Sequence, residues 1–270
     1  MPPRGQRAFD ITSVTDSGRV DRPDALVVEE PLEIRLGDDP IAVVMRTPGD
    51  DMALAVGFLF SEGILRDPDQ VLSVAWCTDV EPSAAGNIVR VLASGADLDA
   101  AEAARRQVYA SSSCGLCGKA TLDAVRLMAP PLPPPPVLRV SQVASLPDRL
   151  RAAQTLFDST GALHAAGLFD GEGELRLVKE DVGRHNAADK ILGTCAIREE
   201  WPLGGHGLVL SGRASFEMVQ KAAMAGIGAV VSVSAPSSLS VEFAREVGMT
   251  LVGFVRRGSM NVYAGEVVDG

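Results

Sequence analysis

Two cysteines stand two residues apart in SSSCGLCGK, which runs from Ser111 to Lys119. A pair at this spacing can supply half a zinc site, exchange a disulfide, or carry sulfur. A structural zinc needs four ligands, usually in paired positions. Cys77, Cys195, His164, His185 and His206 each stand alone, so no metal is expected. A zinc nucleobase deaminase would show P-C-x-x-C together with H-x-E; here Ser113 precedes Cys114, and no histidine is followed two residues later by glutamate. A thioredoxin-type pair opens a helix whose N-terminus lowers the first thiol's pKa. Gly115 and Gly118 favour a loop over a fixed helix start. A thiolate can also take up sulfane sulfur as a persulfide, a reversible cap. A glycine-flanked loop suits a group that must visit both a donor and an acceptor, and Lys119 would favour its thiolate. Redox exchange, sulfur carriage and two unrelated small core cysteines all stay open on these residues alone.

A second constellation is KEDVGRHNAADK, from Lys179 to Lys190. If the chain is helical from Val182, then Asp181, His185 and Asp189 lie four apart and share one face. Arg184 and Lys190 add charge to a helix of small residues. The set is expected to form a functional surface, with His185 binding a ligand or moving a proton; a solvated helix face is the plainer alternative.

A third signal is positional. Open parallel sheets bind ligands beyond the carboxyl ends of their strands. Three such ends are readable: Ser211-Gly212-Arg213-Ala214-Ser215 after GLVL, Ala235-Pro236-Ser237-Ser238 after AVVSVS, and Arg256-Arg257-Gly258-Ser259 after TLVGFV. Small hydroxyl residues, arginines and helix N-termini together favour an anion, and arginine grips phosphate with a two-pronged fork. SGRAS is not a glycine-lysine phosphate loop, and no G-x-G-x-x-G follows the first strand. The signal therefore names an anion, not its identity.

These groups need a frame. The 270 residues suggest about two domains. Residues 1–19 read as a loose polar tail. Residues 20–128 read as an α+β domain ending in the CxxC loop: strands at ALVVEEPLEIRLG, IAVVMRT, VLSVAWCT, NIVRVLA and RQVYASSS, and a helix over TPGDDMALAVGFLFSEGIL capped by Thr47 or Asp50. The run APPLPPPPV reads as a stiff linker over residues 129–137. Residues 138–270 alternate strands and helices, predicting an α/β domain with a largely parallel sheet. Within it, residues 140–160 read as one helix ended by Gly161, and DVGRHNAADKILGTCAI as a helix with Asp181 as N-cap.

Composition bounds the partners. There are 25 lysines and arginines against 35 acids, a net charge of −10, which argues against general nucleic-acid binding. No run of about 18 apolar residues is present, so no membrane span is expected. The opening residues lack the apolar core of a secretory leader. Four cysteines in such a chain fit a reducing cytoplasm better than a disulfide scaffold.

Taken in order, EEPLEIRL, TPGDD with GFLFSEGI, SSSCGLCGK, TGALHAAGLF, KEDVGRHNAADK, LSGRASFEMVQKA, SAPSSLSVEFA and GFVRRGSMNVY closely resemble the FdhD-type accessory sulfurtransferases of formate dehydrogenase. The likeness runs from about Glu29 to Ala264; Lys179 and Ala188 depart from a more usual Arg and Val. The resemblance implies a protein that takes sulfur from a cysteine desulfurase. It passes that sulfur to the molybdenum bis(molybdopterin guanine dinucleotide) cofactor of formate dehydrogenase, a bound substrate here. The family's persulfide cysteine falls on Cys114, with Cys117 as its companion. Its cofactor-binding segment falls on Phe254, Val255, Arg256, Arg257, Gly258 and Ser259, to which the strand end at Ser211, Gly212 and Arg213 and the His185 motif are joined. The C-terminal half is expected to resemble the cytidine deaminase α/β fold without that fold's zinc ligands. A homodimer is one expectation left open, with the apolar helix of the first half as its contact. The rival function is an insertion chaperone that binds the cofactor and uses the CxxC as a redox sensor.

Overall fold

A computed structural model describes residues 5–110 and 131–269. Cys114 and Cys117 lie outside the described residues.

The chain opens with β1 (Gln6–Thr15) and β2 (Gly18–Val27), an antiparallel two-stranded arm. This corrects the reading of residues 1–19 as a loose tail. The segment carries strand-favouring Phe9, Ile11, Thr12 and Val14, and the two strands pair rung by rung from Gln6–Val27 to Thr15–Gly18. The backbone ladder orders the arm rather than burial, since Phe9, Val14 and Val20 stay exposed.

The first half then builds a four-stranded sheet in the order β4-β3-β6-β5, from β3 (Glu30–Leu36), β4 (Asp39–Arg46), β5 (Val71–Trp76) and β6 (Ile88–Ala93). Leu32 and Ile34 on β3 and Val89 and Val91 on β6 point to one face and are fully buried, as the alternation of apolar residues requires. On that core lie α1 (Asp51–Ser61) and α2 (Leu98–Ala110). Residues 106–110, expected to begin a strand, continue α2 instead. The alanine-rich stretch before them favours helix, and Glu102 pairs with Arg106 one turn on at 3.1 Å.

The second half is an α/β unit. Its six-stranded sheet has the order β12-β11-β10-β9-β7-β8, with β7 (His164–Phe169), β8 (Leu175–Asp181), β9 (Gly207–Leu210), β10 (Ala229–Ser232), β11 (Thr250–Arg256) and β12 (Ser259–Ala264). The central strands β9, β10 and β11 are parallel; β7 runs against β9, and hairpins add β8 and β12. One face is covered by α3 (Val140–Ala152). The other is covered by α5 (Arg184–Ile197), α6 (Phe216–Met224) and α7 (Ser238–Glu246). The helix expected over 140–160 is two, α3 and the short α4 (Thr155–Thr160), the latter stopped by Gly161 at φ 67°. Residues 131–137 of the proline segment lie along this second half: a Cβ built on Gly228 would fall 2.7 Å from Pro135 Cα, and Leu132 packs on the core.

The two halves meet where α1 crosses α5. Nearly every residue of α1 is buried, as expected of a helix apolar on all sides. The crossing is close because both helices present glycine. A Cβ on Gly57 would sit 1.8 Å from the Asp189 carbonyl oxygen, and one on Gly193 1.8 Å from that of Ala53.

Buried ions fasten this seam. Lys190 (2% exposed) pairs with Asp181 (0%) at 2.7 Å and donates to the Thr47 carbonyl at 2.9 Å. Asp181 also accepts from the Thr47 and Gly183 amides and from Asn186. Lys221 reaches Asp189 at 3.0 Å, Ser61 Oγ at 2.7 Å and Glu62 at 3.1 Å. Burial works against its ammonium, but the carboxylates of Asp189 and Glu62 outweigh that and raise its pKa.

Candidate functional site at the carboxyl edge of the second sheet

Because β9, β10 and β11 are parallel, the segments that follow them share one edge of the sheet. The sequence expectation that 211–215 and 254–259 lie together is met in this sense. Backbone and serine bonds knit the edge. Ser232 Oγ donates to the Gly212 carbonyl at 2.6 Å and also lies 3.1 Å from the Ser234 carbonyl. The Ser234 carbonyl accepts the Phe254 amide at 3.1 Å. Ala214 and Pro236 form a further bridge between the two loops.

On the β9 side, Ser211 Oγ accepts the Ala165 amide at 2.8 Å. Gly212 lies against His164, so that a Cβ there would come 3.3 Å from Nδ1. Arg213 is exposed. Ser215 occupies the N-cap of α6 and Ser237 that of α7, the latter accepting from the Ser240 amide. Two helices of nine residues thus begin at this edge, with their first amides toward it.

On the β11 side, the ladder to β12 slips between Gly253 and Arg256. Phe254 takes a left-handed φ of 53° within that slip, a conformation that disfavours a bulky side chain. Its half-buried ring lies under the Arg256 guanidinium, 5.8 Å from the centroid. Val255 is buried in the core. Arg257 and Gly258 form the hairpin tip at φ 50° and 78°, a pairing typical of a tight β-turn. Arg256, Arg257, Gly258 and Ser259 are exposed, and Ser259 Oγ donates to the Arg256 carbonyl at 3.0 Å.

The KEDVGRHNAADK motif divides in two, which corrects the expectation of one shared functional face. Asp181 ends β8 and is not a helix cap; Gly183 holds that position. Asp181 and Asp189 are consumed by the buried pairs with Lys190 and Lys221. Only Arg184 and His185 reach the edge. His185 Nε2 lies 2.9 Å from Glu217 Oε2 in the first turn of α6. Among the described residues Arg184 makes no ion pair, and its buried Nε has no hydrogen-bond partner. An unsatisfied buried guanidinium nitrogen is costly and asks for an acceptor.

Sequence reasoning did not single out Glu217 and read His164 only as a lone histidine. Burial lowers the His164 pKa, with Arg184 and His185 adding to it. The hydrogen bond with His185 lowers the pKa of Glu217, against its burial. The available signal was the position of both residues in TGALHAAGLF and SFEMVQKA, beside strand ends.

Four arginines, Arg184, Arg213, Arg256 and Arg257, border this edge without an ion pair among the described residues, on a chain of net charge −10. Such an edge can take a phosphate-bearing ligand. The described residues contain no group of three or more histidines, cysteines or acids placed to hold a metal, and no described helix is long and apolar enough to cross a membrane. Of the cysteines outside the CxxC, Cys195 is core, its thiol pushed up to about 11 by burial. Cys77 is half-buried just beyond the end of β5.

A family model described as FdhD/NarQ matches residues 27–267. The chain is 53% identical over 261 residues to the "Sulfur carrier protein FdhD" of Streptomyces avermitilis, covering 95% of this chain and 93% of that one. It is 48% identical to the protein of the same name from Mycobacterium tuberculosis, covering 90% and 91%. A crystal structure of a candidate formate dehydrogenase accessory protein from Desulfotalea psychrophila matches with a TM-score of 0.76 and 25% identity, over 97% of this chain and 99% of that one.

Proposed function

Given that this chain belongs to the FdhD/NarQ family, we propose that it is a sulfurtransferase that serves formate dehydrogenase. Cys114 receives sulfur from a cysteine desulfurase: its thiolate attacks the terminal sulfur of the donor's persulfide. A new S–S bond forms on Cys114, the donor's S–S bond breaks, and the donor cysteine leaves as thiolate. The carried sulfur is then presented to the molybdenum bis(molybdopterin guanine dinucleotide) cofactor, held as substrate.

The observation that carries the cofactor half is the unsatisfied Arg184 Nε beside three further arginines at one sheet edge that make no ion pair among the described residues. A pyrophosphate-linked ligand brings the acceptors that this edge lacks. Arg184, Arg213, Arg256 and Arg257 would hold the phosphates, with the first amides of α6 and α7. Phe254, kept in a left-handed conformation under Arg256, offers an apolar face for a ring.

The test is intact-mass analysis after incubation with a cysteine desulfurase and cysteine. A reductant-sensitive gain of one sulfur is expected on the wild type and on Cys117→Ala, and none on Cys114→Ala. Undiminished labelling of Cys114→Ala, or full activation of formate dehydrogenase by it, overturns sulfur carriage and leaves an insertion chaperone.

A further inference from the structure

A phosphate site has no use for a carboxylate, yet Glu217 stands in the first turn of α6 among the arginines. It is ionised there, because the hydrogen bond with His185 outweighs its burial. Its charge opposes a bound phosphate, so it must serve another part of the ligand.

The helices that carry it are clamped. His185 and Asp189 are one turn apart on α5; Glu217 and Lys221 are one turn apart on α6. The buried rung joins Asp189 to Lys221 at 3.0 Å, and the open rung joins His185 to Glu217 at 2.9 Å. Two rungs between the same helix faces fix the carboxylate in position. His185 and, at 3.4 Å, Ser215 both use Oε2. Among the described residues Oε1 accepts nothing, and the side chain is 47% exposed.

We infer that Glu217 is a specificity-determining residue that selects guanine in the bound cofactor. Its carboxylate accepts from the ring N1–H and the exocyclic 2-amino group, one on the open Oε1 and the other on Oε2 in place of the long 3.4 Å Ser215 contact. These are two adjacent donors, matched by the two oxygens of one carboxylate. Adenine presents a bare ring nitrogen between its own donor and the ring carbon, and that lone pair faces a carboxylate unfavourably. The inference rests on the reading of this edge as the site of a guanine dinucleotide.

Titration with guanosine, inosine and adenosine diphosphates tests it. Inosine keeps N1–H and lacks only the 2-amino group. Wild-type protein should bind the guanosine compound about tenfold tighter than the inosine compound, and the adenosine compound weakest. In Glu217→Gln the gap between guanosine and inosine should close, while inosine diphosphate binding reports that the protein is folded. Arg213→Ala should weaken all three alike and keep their ratios. A guanosine preference that survives in Glu217→Gln overturns the inference, as does an equal loss for all three nucleotides, which would place Glu217 on the ribose or in the scaffold. Absence of binding by any of them in the wild type overturns the cofactor site together with this inference.

Discussion

The seam between the two halves and the edge of the second sheet use the same residue types in opposite ways. At the seam and beside it, Arg46, Lys190 and Lys221 are buried and satisfied. Arg46 gives Nε to Asp51 at 2.6 Å and its other nitrogens to Glu30, the Gly86 carbonyl and Asn87, and Lys190 and Lys221 sit in closed pairs. At the edge, Arg213, Arg256 and Arg257 are exposed, and Arg184 Nε is buried with no hydrogen-bond partner among the described residues. A buried ion that is fully paired reports on how the chain is held together, because removing either partner strands the other. An ion left unpaired, on a chain with an excess of acids, reports on what the surface is built to meet. KEDVGRHNAADK contributes to both: Asp181, Asp189 and Lys190 to the seam, Arg184 and His185 to the edge.

The largest way to break this contrast is at the seam. Lys221→Met leaves Asp189, 2% exposed, with Ser61 alone, and should cost about 3–5 kcal/mol of stability. Urea denaturation measures it. Replacing the pair together, Lys221→Met with Asp189→Leu, should recover much of that loss, since no charge is then stranded. A double variant as unstable as the sum of two such losses would show that the pair does more than satisfy itself.

The edge should behave in reverse. Arg213→Ala removes an exposed guanidinium with no ion pair among the described residues. Stability should change by no more than about 0.5 kcal/mol. Affinity for guanosine diphosphate should fall about tenfold, and the remaining affinity should depend less steeply on salt. A variant that loses stability and keeps its affinity would move Arg213 to the structural side.

The smallest effect is one of pH. Folding lowers the His164 pKa from the ordinary 6.5, first by burial and then through Arg184 and His185, with Asp181 opposing. The unfolded chain therefore binds this proton more readily than the folded one, and stability rises with pH across that window. It should be flat above 6.5 and decline as pH falls below it. In His164→Gln this shallow decline should vanish; thermal midpoints between pH 7.5 and 5.5 (about two units spanning the imidazole range) decide it. A bound phosphate ligand should raise the pKa of His164 by favouring its charged form.

What the sequence determined by itself is the set of short-range facts. Period-two alternation placed Leu32 and Ile34 on one face of β3, and turn chemistry ended α4 at Gly161. The alternation of strand and helix from Gly207 to Arg256 implied parallel strands, and hence a shared edge for Arg213 and Arg256. These signals lie within one or two elements, so spacing carries them. The tertiary structure alone decided which charges were spent. Asp181, His185 and Asp189 look equivalent at four-residue spacing, yet partners 134 and 32 residues away, Thr47 and Lys221, take the two aspartates into the seam. Glu217 meets His185 across 32 residues, and Gly57 meets the backbone of α5 more than 130 positions later. The arm of β1 and β2 was illegible for a related reason: a ladder with exposed side chains leaves little trace in a pattern of burial. Whether a charge holds the fold or waits for a ligand depends on what stands opposite it, and only folding brings the opposite side into place.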